Sequence, residues 1–311
     1  MMKSHEYTHR KPLSWHARLL KWLMWRLRIK RELAHWFKRP KINQSPAGSS
    51  WLFKAMCRHA YTREETSHRG RVVWILNPTK APVHKSIFYL HGGAYLYNIT
   101  SFHWRFLSRL CHHTQARIIV PDYPLTPTAR CAEVYDFIES LYAELFDEDQ
   151  SADVTIMGDS AGGGLALGLT QRLHGLPSLQ PSQTILLAPW LDIALKHPGV
   201  GSVELHDPML DSVALIKAGE AYRGELDPRD QRVSPLYGEM SFSSRLSLFV
   251  STHDLLWPDC RELHHALQRE GVEHHYFEYP QLFHVWMLVV SLPESRVAMR
   301  QIIDLVLDQP S

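Results

Sequence analysis

Gly158-Asp159-Ser160-Ala161-Gly162 sits inside IMGDSAGGGLAL, residues 156–167, where an apolar run meets a series of small residues. The chemistry this spacing offers is nucleophilic. A serine hydroxyl attacks a carbonyl only when a base takes its proton, and the base is normally a histidine whose tautomer a carboxylate holds. A G-x-S-x-G match arises by chance roughly one time in ten in a chain of this length, so Ser160 carries an argument only in context. DVTIM before the match reads as a buried strand, and GGLALGLTQRL after it reads as a helix whose first turn is built of small residues. A strand-to-helix turn this sharp strains the serine backbone and exposes the hydroxyl, while the flanking glycines remove side chains that would clash. The bland alternatives are a glycine turn that only packs helix on strand, or a phosphate cradle; the lysine a phosphate loop requires is absent.

On such a turn the partners follow in the order serine, acid, histidine. Asp254 ends the run LSLFVSTHD, and His284 follows HHYFEYPQLF in a loop after the last strand. Asp259 is the rival acid, and a place at the N-cap of the helix DCRELHHALQRE accounts for it better. His274 and His275 fall inside the strand and read as structural or solvent-facing. Asp159, beside the nucleophile, cannot easily turn to the same histidine and reads as a hydrogen-bonding support. A tetrahedral oxyanion needs backbone amides. Ala161 at the helix N-terminus supplies one, and Gly92 and Gly93 of the loop FYLHGGAY, braced by His91, supply the others.

These residues need a frame that brings distant loops together. From residue 71 onward, apolar β-rich runs alternate with helix-like stretches: RVVWIL, SIFYLHGG, ARIIVPDYP, DVTIMGDS, QTILLAPW, LSLFVSTHD and HHYFEYP. Several lack polar alternation, as strands buried on both faces of a mostly parallel sheet do. The fold class is therefore α/β, an open sheet flanked by helices with its ligands at the carboxyl ends of the strands. Residues 191–240 interrupt the rhythm with four prolines and the helix-like DSVALIKAGEAYRGEL, which reads as a cap over that edge.

Composition bounds the rest. Residues 1–40 hold eleven Lys or Arg against Glu6 and Glu32, a local +9; the whole chain carries +2, so residues 41–311 sum to −7. A basic arm on a mildly acidic body does not indicate a nucleic-acid protein. Cys57, Cys111, Cys131 and Cys260 have no metal-ligand spacing and read as reduced thiols of a cytoplasmic protein. No secretory signal and no membrane-spanning run is visible. The Pro/Gly/Ser stretch NQSPAGSS, residues 43–50, divides a basic, Trp-rich segment (1–50) from a catalytic body (51–311). Within the arm, LSWHARLLKWLMWRLRIKRELAHWFKR is expected to be helical, with Leu19, Leu20, Leu23, Met24 and Leu27 as its apolar face. It reads as part of the cap, as a peripheral membrane contact through residues 13–39, or as both.

HGGA, GDSAGG, DYPLTP (122–127), HDLLWPD and the FH pair, in this order over roughly residues 71–290, resemble the hormone-sensitive-lipase-like branch of the α/β-hydrolase fold, a group of carboxylesterases. The resemblance implies an α/β-hydrolase sheet with a helical cap built from residues 1–50 and 191–240, the latter containing the family-like HDPML. It implies Ser160, Asp254 and His284 as the triad, with Gly92, Gly93 and Ala161 as oxyanion donors. The implied reaction is hydrolysis of short- to medium-chain carboxylic esters through an acyl-enzyme, needing no cofactor or metal; the partner it implies is a small-molecule ester, and nothing in the sequence identifies a protein partner. Deacetylation of a sterol or other metabolite by the same triad is the alternative. A remoter one is a small-ligand receptor, a role in which family members lose the histidine that stands here as His284.

Overall fold

The computed structural model describes residues 5–37, 61–79, 84–146, 153–241 and 244–308. Cys57 and the stretch 43–50 lie outside the described residues, as does part of the arm. Nine strands form one sheet: β1 (His5–Thr8), β2 (Tyr61–His68), β3 (Arg71–Pro78), β4 (Lys85–Leu90), β5 (Arg117–Pro121), β6 (Asp153–Asp159), β7 (Gln183–Leu187), β8 (Arg245–Ser251) and β9 (His274–Tyr279). Their order is β1-β9-β8-β7-β6-β4-β5-β3-β2, with β2 and β3 entering antiparallel and every other pairing parallel.

All seven apolar runs become strands because the sheet is covered on both faces. Leu186 points into one core, while Ile185 and Leu187 point into the other, as the two-residue period of a strand requires. One layer holds α4 (Cys131–Phe146), α5 (Ala161–Arg172) and α8 (Trp257–Arg269); the opposite layer holds α3 (Ser101–Thr114) and α9 (Pro293–Val306). The edge strands β1 and β2 go beyond the expected elements. HEYT and YTREETSH are polar, and at a sheet edge, backbone pairing rather than burial makes the strand. The arm is thus not wholly helical: His5–Thr8 pairs in parallel with His275–Glu278.

The arm's helical part is broken in two. α1 (Trp15–Arg26) begins at Ser14, whose side chain caps the Ala17 amide, and ends at Leu27. Arg28 at φ +54° turns the chain into α2 (Ile29–Phe37). The buried face also differs from the periodic expectation. Ala17, Leu20, Lys21 and Met24 face the body, whereas Leu19, Leu23 and Leu27 are exposed. Polar anchors set this rotation: buried Glu294 at the start of α9 accepts from the Ser14 amide at 2.6 Å and the Ser14 hydroxyl at 2.9 Å.

Between β7 and β8 the insertion folds as α6 (Val200–Glu204) and α7 (Ser212–Arg223), the latter capped by the Asp211 side chain on the Ala214 amide. Helix α2 packs against α7, and Lys30 donates to the Glu204 carbonyl at 2.9 Å while pairing with its carboxylate. The N-terminal helices and the insertion are therefore one contiguous layer.

Glu294→Ala leaves the Ser14 donors without their acceptor. We expect a loss of about 1–3 kcal/mol in unfolding free energy and faster proteolysis within residues 10–30, checked by urea melts and limited digestion; an unchanged melt would contradict the anchoring role.

Candidate active site

Ser160 stands between β6 and α5 at φ +53°, ψ −122°, a backbone geometry that a non-glycine residue rarely adopts. Hydrogen bonds clamp it there: its amide donates to Leu187 O at 2.9 Å, and its carbonyl accepts from Trp190 at 2.8 Å and Gly164 at 3.1 Å. Glycine at 162 is forced by close approach, since a Cβ there would overlap the backbone carbonyls of Leu90 and His91. The absent side chain lets the helix start directly against the end of β4.

The structure brings Ser160, His284 and Asp254 together. Asp254 follows β8, and His284 lies in the loop after β9. The His284 Nε2 is 2.8 Å from Ser160 Oγ, and its Nδ1 is 2.8 Å from Asp254 Oδ2. Asp254 Oδ1 accepts from the Leu256 amide at 3.0 Å, so the carboxylate cannot rotate freely. Both His284 and Asp254 are buried. Burial alone would lower the His284 pKa; the adjoining Asp254 carboxylate, with Asp207 and Asp159 behind it, outweighs burial and raises it above the ordinary value. The ring is poised to accept a proton on Nε2 while Nδ1–H stays fixed on Asp254.

The loop after β4 corrects one expectation. The Gly92 amide is not open to a ligand: it donates to Asp159 Oδ1 at 2.9 Å. Two residues upstream of Ala94, it ties the loop to the turn, and a Cβ on Gly92 would come within 3.0 Å of Ser160 Cβ. The amides of Gly93 and Ala94 have no acceptor among the described residues, and Ala161 begins its helix with its amide unused by the helical ladder. Gly93 has φ +129°, where a side chain would meet the Tyr97 backbone. The His91 Nδ1–H donates to Gly92 O at 2.8 Å, and its ring stacks on Tyr123 of the DYP turn at 4.4 Å. The Tyr123 hydroxyl donates to His91 O at 2.5 Å. Burial pushes the His91 pKa down to about 4, so it is neutral.

Asp159 is a support, and a fuller one than its position alone discloses. Besides the Gly92 amide, it accepts from the Tyr89 hydroxyl at 2.7 Å and faces His103 Nε2 at 3.3 Å. Because His103 Nδ1 accepts the Thr100 amide, its proton lies on the Asp159 side. Burial would raise the Asp159 pKa, but His103, Tyr89 and Gly92 together hold it below the ordinary value, and the carboxylate is ionised.

Asp259 is neither the acid nor an N-cap. Helix α8 starts earlier, with Leu256 as its cap, and Asp259 is buried in the first turn, where burial and the nearby Asp192 and Glu262 push its pKa up to about 8. His274 and His275 lie in β9, away from Ser160; His274 pairs with His264 at 2.7 Å. The residue that sequence reading passes over is Asp207. Its Oδ1 accepts from Met209 and Leu210, and its Oδ2 from the Leu255 amide at 2.7 Å, joining the insertion to the loop that carries Asp254. Burial, then the Asp254 carboxylate, pushes its pKa up to about 6. The only signal was the motif HDPML.

The sheet, the strained serine turn and the serine–histidine–aspartate line define a hydrolase architecture. The family model described as alpha/beta hydrolase fold matches residues 87–288, and the chain belongs to that family, in its esterase and lipase branch, as a carboxylic ester hydrolase. It is similar to an esterase of Acinetobacter venetianus, 31% identical over 225 residues that make up 70% of this chain and 72% of that one. It is also similar to an acetyl-hydrolase of Streptomyces hygroscopicus, 28% identical over 69% of this chain and 72% of that one. A solved esterase of the bacterial hormone-sensitive lipase family shares the fold, with a TM-score of 0.77 at 21% identity over 92% of this chain and 98% of that one.

The neutral form of His284 is the one able to take a proton, so kcat/KM should fall as pH drops through an inflection above the ordinary histidine value of 6.5. Asp254→Asn removes the charge that raises this pKa; the inflection should move to lower pH and kcat fall by about 10⁴. An inflection that stays in place would contradict the Asp254–His284 pairing.

Proposed function

We propose that this esterase is a serine carboxylesterase acting on short- to medium-chain carboxylic esters through Ser160, His284 and Asp254. The observation that carries the reading is the unbroken line Asp254 Oδ2–His284–Ser160 Oγ, with both links at 2.8 Å, ending on a serine in strained geometry.

Ser160 Oγ attacks the ester carbonyl as its proton passes to His284 Nε2, and Asp254 stabilises the resulting imidazolium. The carbonyl oxygen becomes an oxyanion held by the amides of Gly93, Ala94 and Ala161, donors fixed in place before the charge develops. Collapse breaks the bond to the alcohol, which leaves with the His284 proton, and the acyl group stays on Ser160. Water, deprotonated by His284, adds to the acyl carbonyl; the acid departs and the serine recovers its proton.

Support for a short acyl group comes from the packing beside the turn. Trp190, whose amide holds the Ser160 carbonyl, is 5.5 Å from Tyr95, and Tyr95 stacks on Tyr222 at 3.7 Å; all three are buried. We take this aromatic packing, next to the residue that holds Ser160, as a bound on the acyl side of the site. The similarity to an acetyl-hydrolase points the same way, and it favours as second reading a deacetylase with a larger alcohol or amine.

A p-nitrophenyl ester series from acetate to palmitate tests this. Turnover should be highest at the short end, and Ser160→Ala should reduce it by at least about 10³. Activity confined to acetate would favour the deacetylase, a maximum at palmitate would overturn the short-chain reading, and undiminished turnover by Ser160→Ala would overturn the mechanism.

A further inference from the structure

Helix α1 leaves its most apolar face in solvent. Among the described residues, eleven large apolar side chains are exposed, and six of them (Trp15, Leu19, Trp22, Leu23, Trp25 and Leu27) lie within α1 and its C-cap. Trp15, Leu19, Trp22 and Arg26 recur at spacings of four, three and four, so they form one stripe, with Leu23 and Trp25 at its flanks. Trp15 and Trp22 are 60% and 58% exposed.

The helix cannot hide this stripe by rolling over. Its opposite face is pinned by Ser14 on Glu294, by buried Ala17, and by Lys21, which donates to His253 Nδ1 at 2.9 Å and to the Gln281 carbonyl. The charge along α1 has one sign. WHARLLKWLMWR contains no acid, Arg18 borders the stripe, Arg26 ends it, and Arg28 and Arg31 follow it. Among the described residues, none of these four arginines has a carboxylate partner, in contrast to Lys30, which is held by Glu204. Arg28, Lys30 and Arg31 line, with Trp25 and Asp211, a cavity of about 530 Å³ that opens beside the stripe; the one carboxylate in its wall, Asp211, is engaged by the Ala214 amide.

We infer that this face docks on an anionic lipid surface. Tryptophan and leucine enter the boundary between headgroups and acyl chains, where an indole has both an apolar and a wet side, and the arginines meet lipid phosphates at the same depth. The cavity offers Arg28 and Arg31 to one headgroup. Charge complementarity and the apolar stripe together select a lipid surface: a phosphate-bearing polymer would use the arginines but leave Leu19, Leu23 and Leu27 in water. This inference is independent of which esters the enzyme cleaves.

The test is cosedimentation of the full chain with vesicles of phosphatidylcholine containing phosphatidylglycerol, against vesicles of phosphatidylcholine alone. Binding should require phosphatidylglycerol, weaken with salt, and shift tryptophan emission to the blue. Two variants separate the components: Trp15→Ser with Trp22→Ser, and Arg28→Gln with Arg31→Gln. Each should weaken partitioning about tenfold or more while circular dichroism and turnover of a soluble short-chain ester stay as in the wild type. Absence of vesicle binding by the wild type, or binding by either variant as strong as the wild type's, would overturn the inference. So would a dimer in solution that the tryptophan variant converts to a monomer, because the stripe would then be covered by a second copy of the chain.

Discussion

Ser160 is held in a backbone conformation that an L-residue enters at a cost of about 1–3 kcal/mol, and the molecule is arranged around meeting that cost. Leu187 and Trp190, on either side of the exit from β7, grip the serine's amide and carbonyl, and Gly164 closes the first helical turn on the same carbonyl. The turn can form only because residue 162 has no side chain to strike the end of β4. Three neighbouring parallel strands therefore fix one hydroxyl. Asp254 and His284 come from loops after the next two strands, β8 and β9, so the parallel order of the sheet is what converts a separation of 124 residues into a 2.8 Å contact.

Around this turn the buried charges are answered in the fold. Asp159 binds the loop after β4 to the serine turn through Gly92 and is itself met by His103 and Tyr89. Asp122, fully buried beneath the DYP turn, is met by Arg71 at 2.9 Å, while its neighbour Tyr123 stacks under His91. Asp207 extends the same principle to the insertion, and Lys21 to the arm: one holds the amide after Asp254, the other sits on the residue before it. Insertion and arm are tied to the loops of the site, so a change in how either one sits is transmitted to the position of Asp254.

Much of this was legible in the residues. Seven buried strands announce themselves as apolar runs because both faces of the sheet are covered, and the serine turn announces itself because few other arrangements need small residues on both sides of a serine. Polar strands at the edges carry no such signal: HEYT and YTREETSH are strands only because a neighbour offers free backbone groups. The rotation of the N-terminal helix is not legible, since periodicity sees the leucines but not the pull of Glu294 on Ser14 or of Gln281 on Lys21. The role of Gly92 is hidden because a glycine's amide looks equally free wherever it stands in a motif. Its commitment to Asp159 is a contact across 67 residues, which spacing along the chain cannot disclose. Asp259 differs from its expected N-cap place by the usual margin of a helix start, here three residues from the cap at Leu256.

The central claim is that one serine, activated by His284, is the nucleophile of this esterase. Reaction with an organophosphonate, followed by peptide mass spectrometry, addresses it directly, because such a reagent forms a stable adduct only with an activated hydroxyl. The account predicts a single adduct per chain, on Ser160, and its loss on His284→Ala. An adduct on any other residue, or labelling of Ser160 that is undiminished without His284, would contradict it.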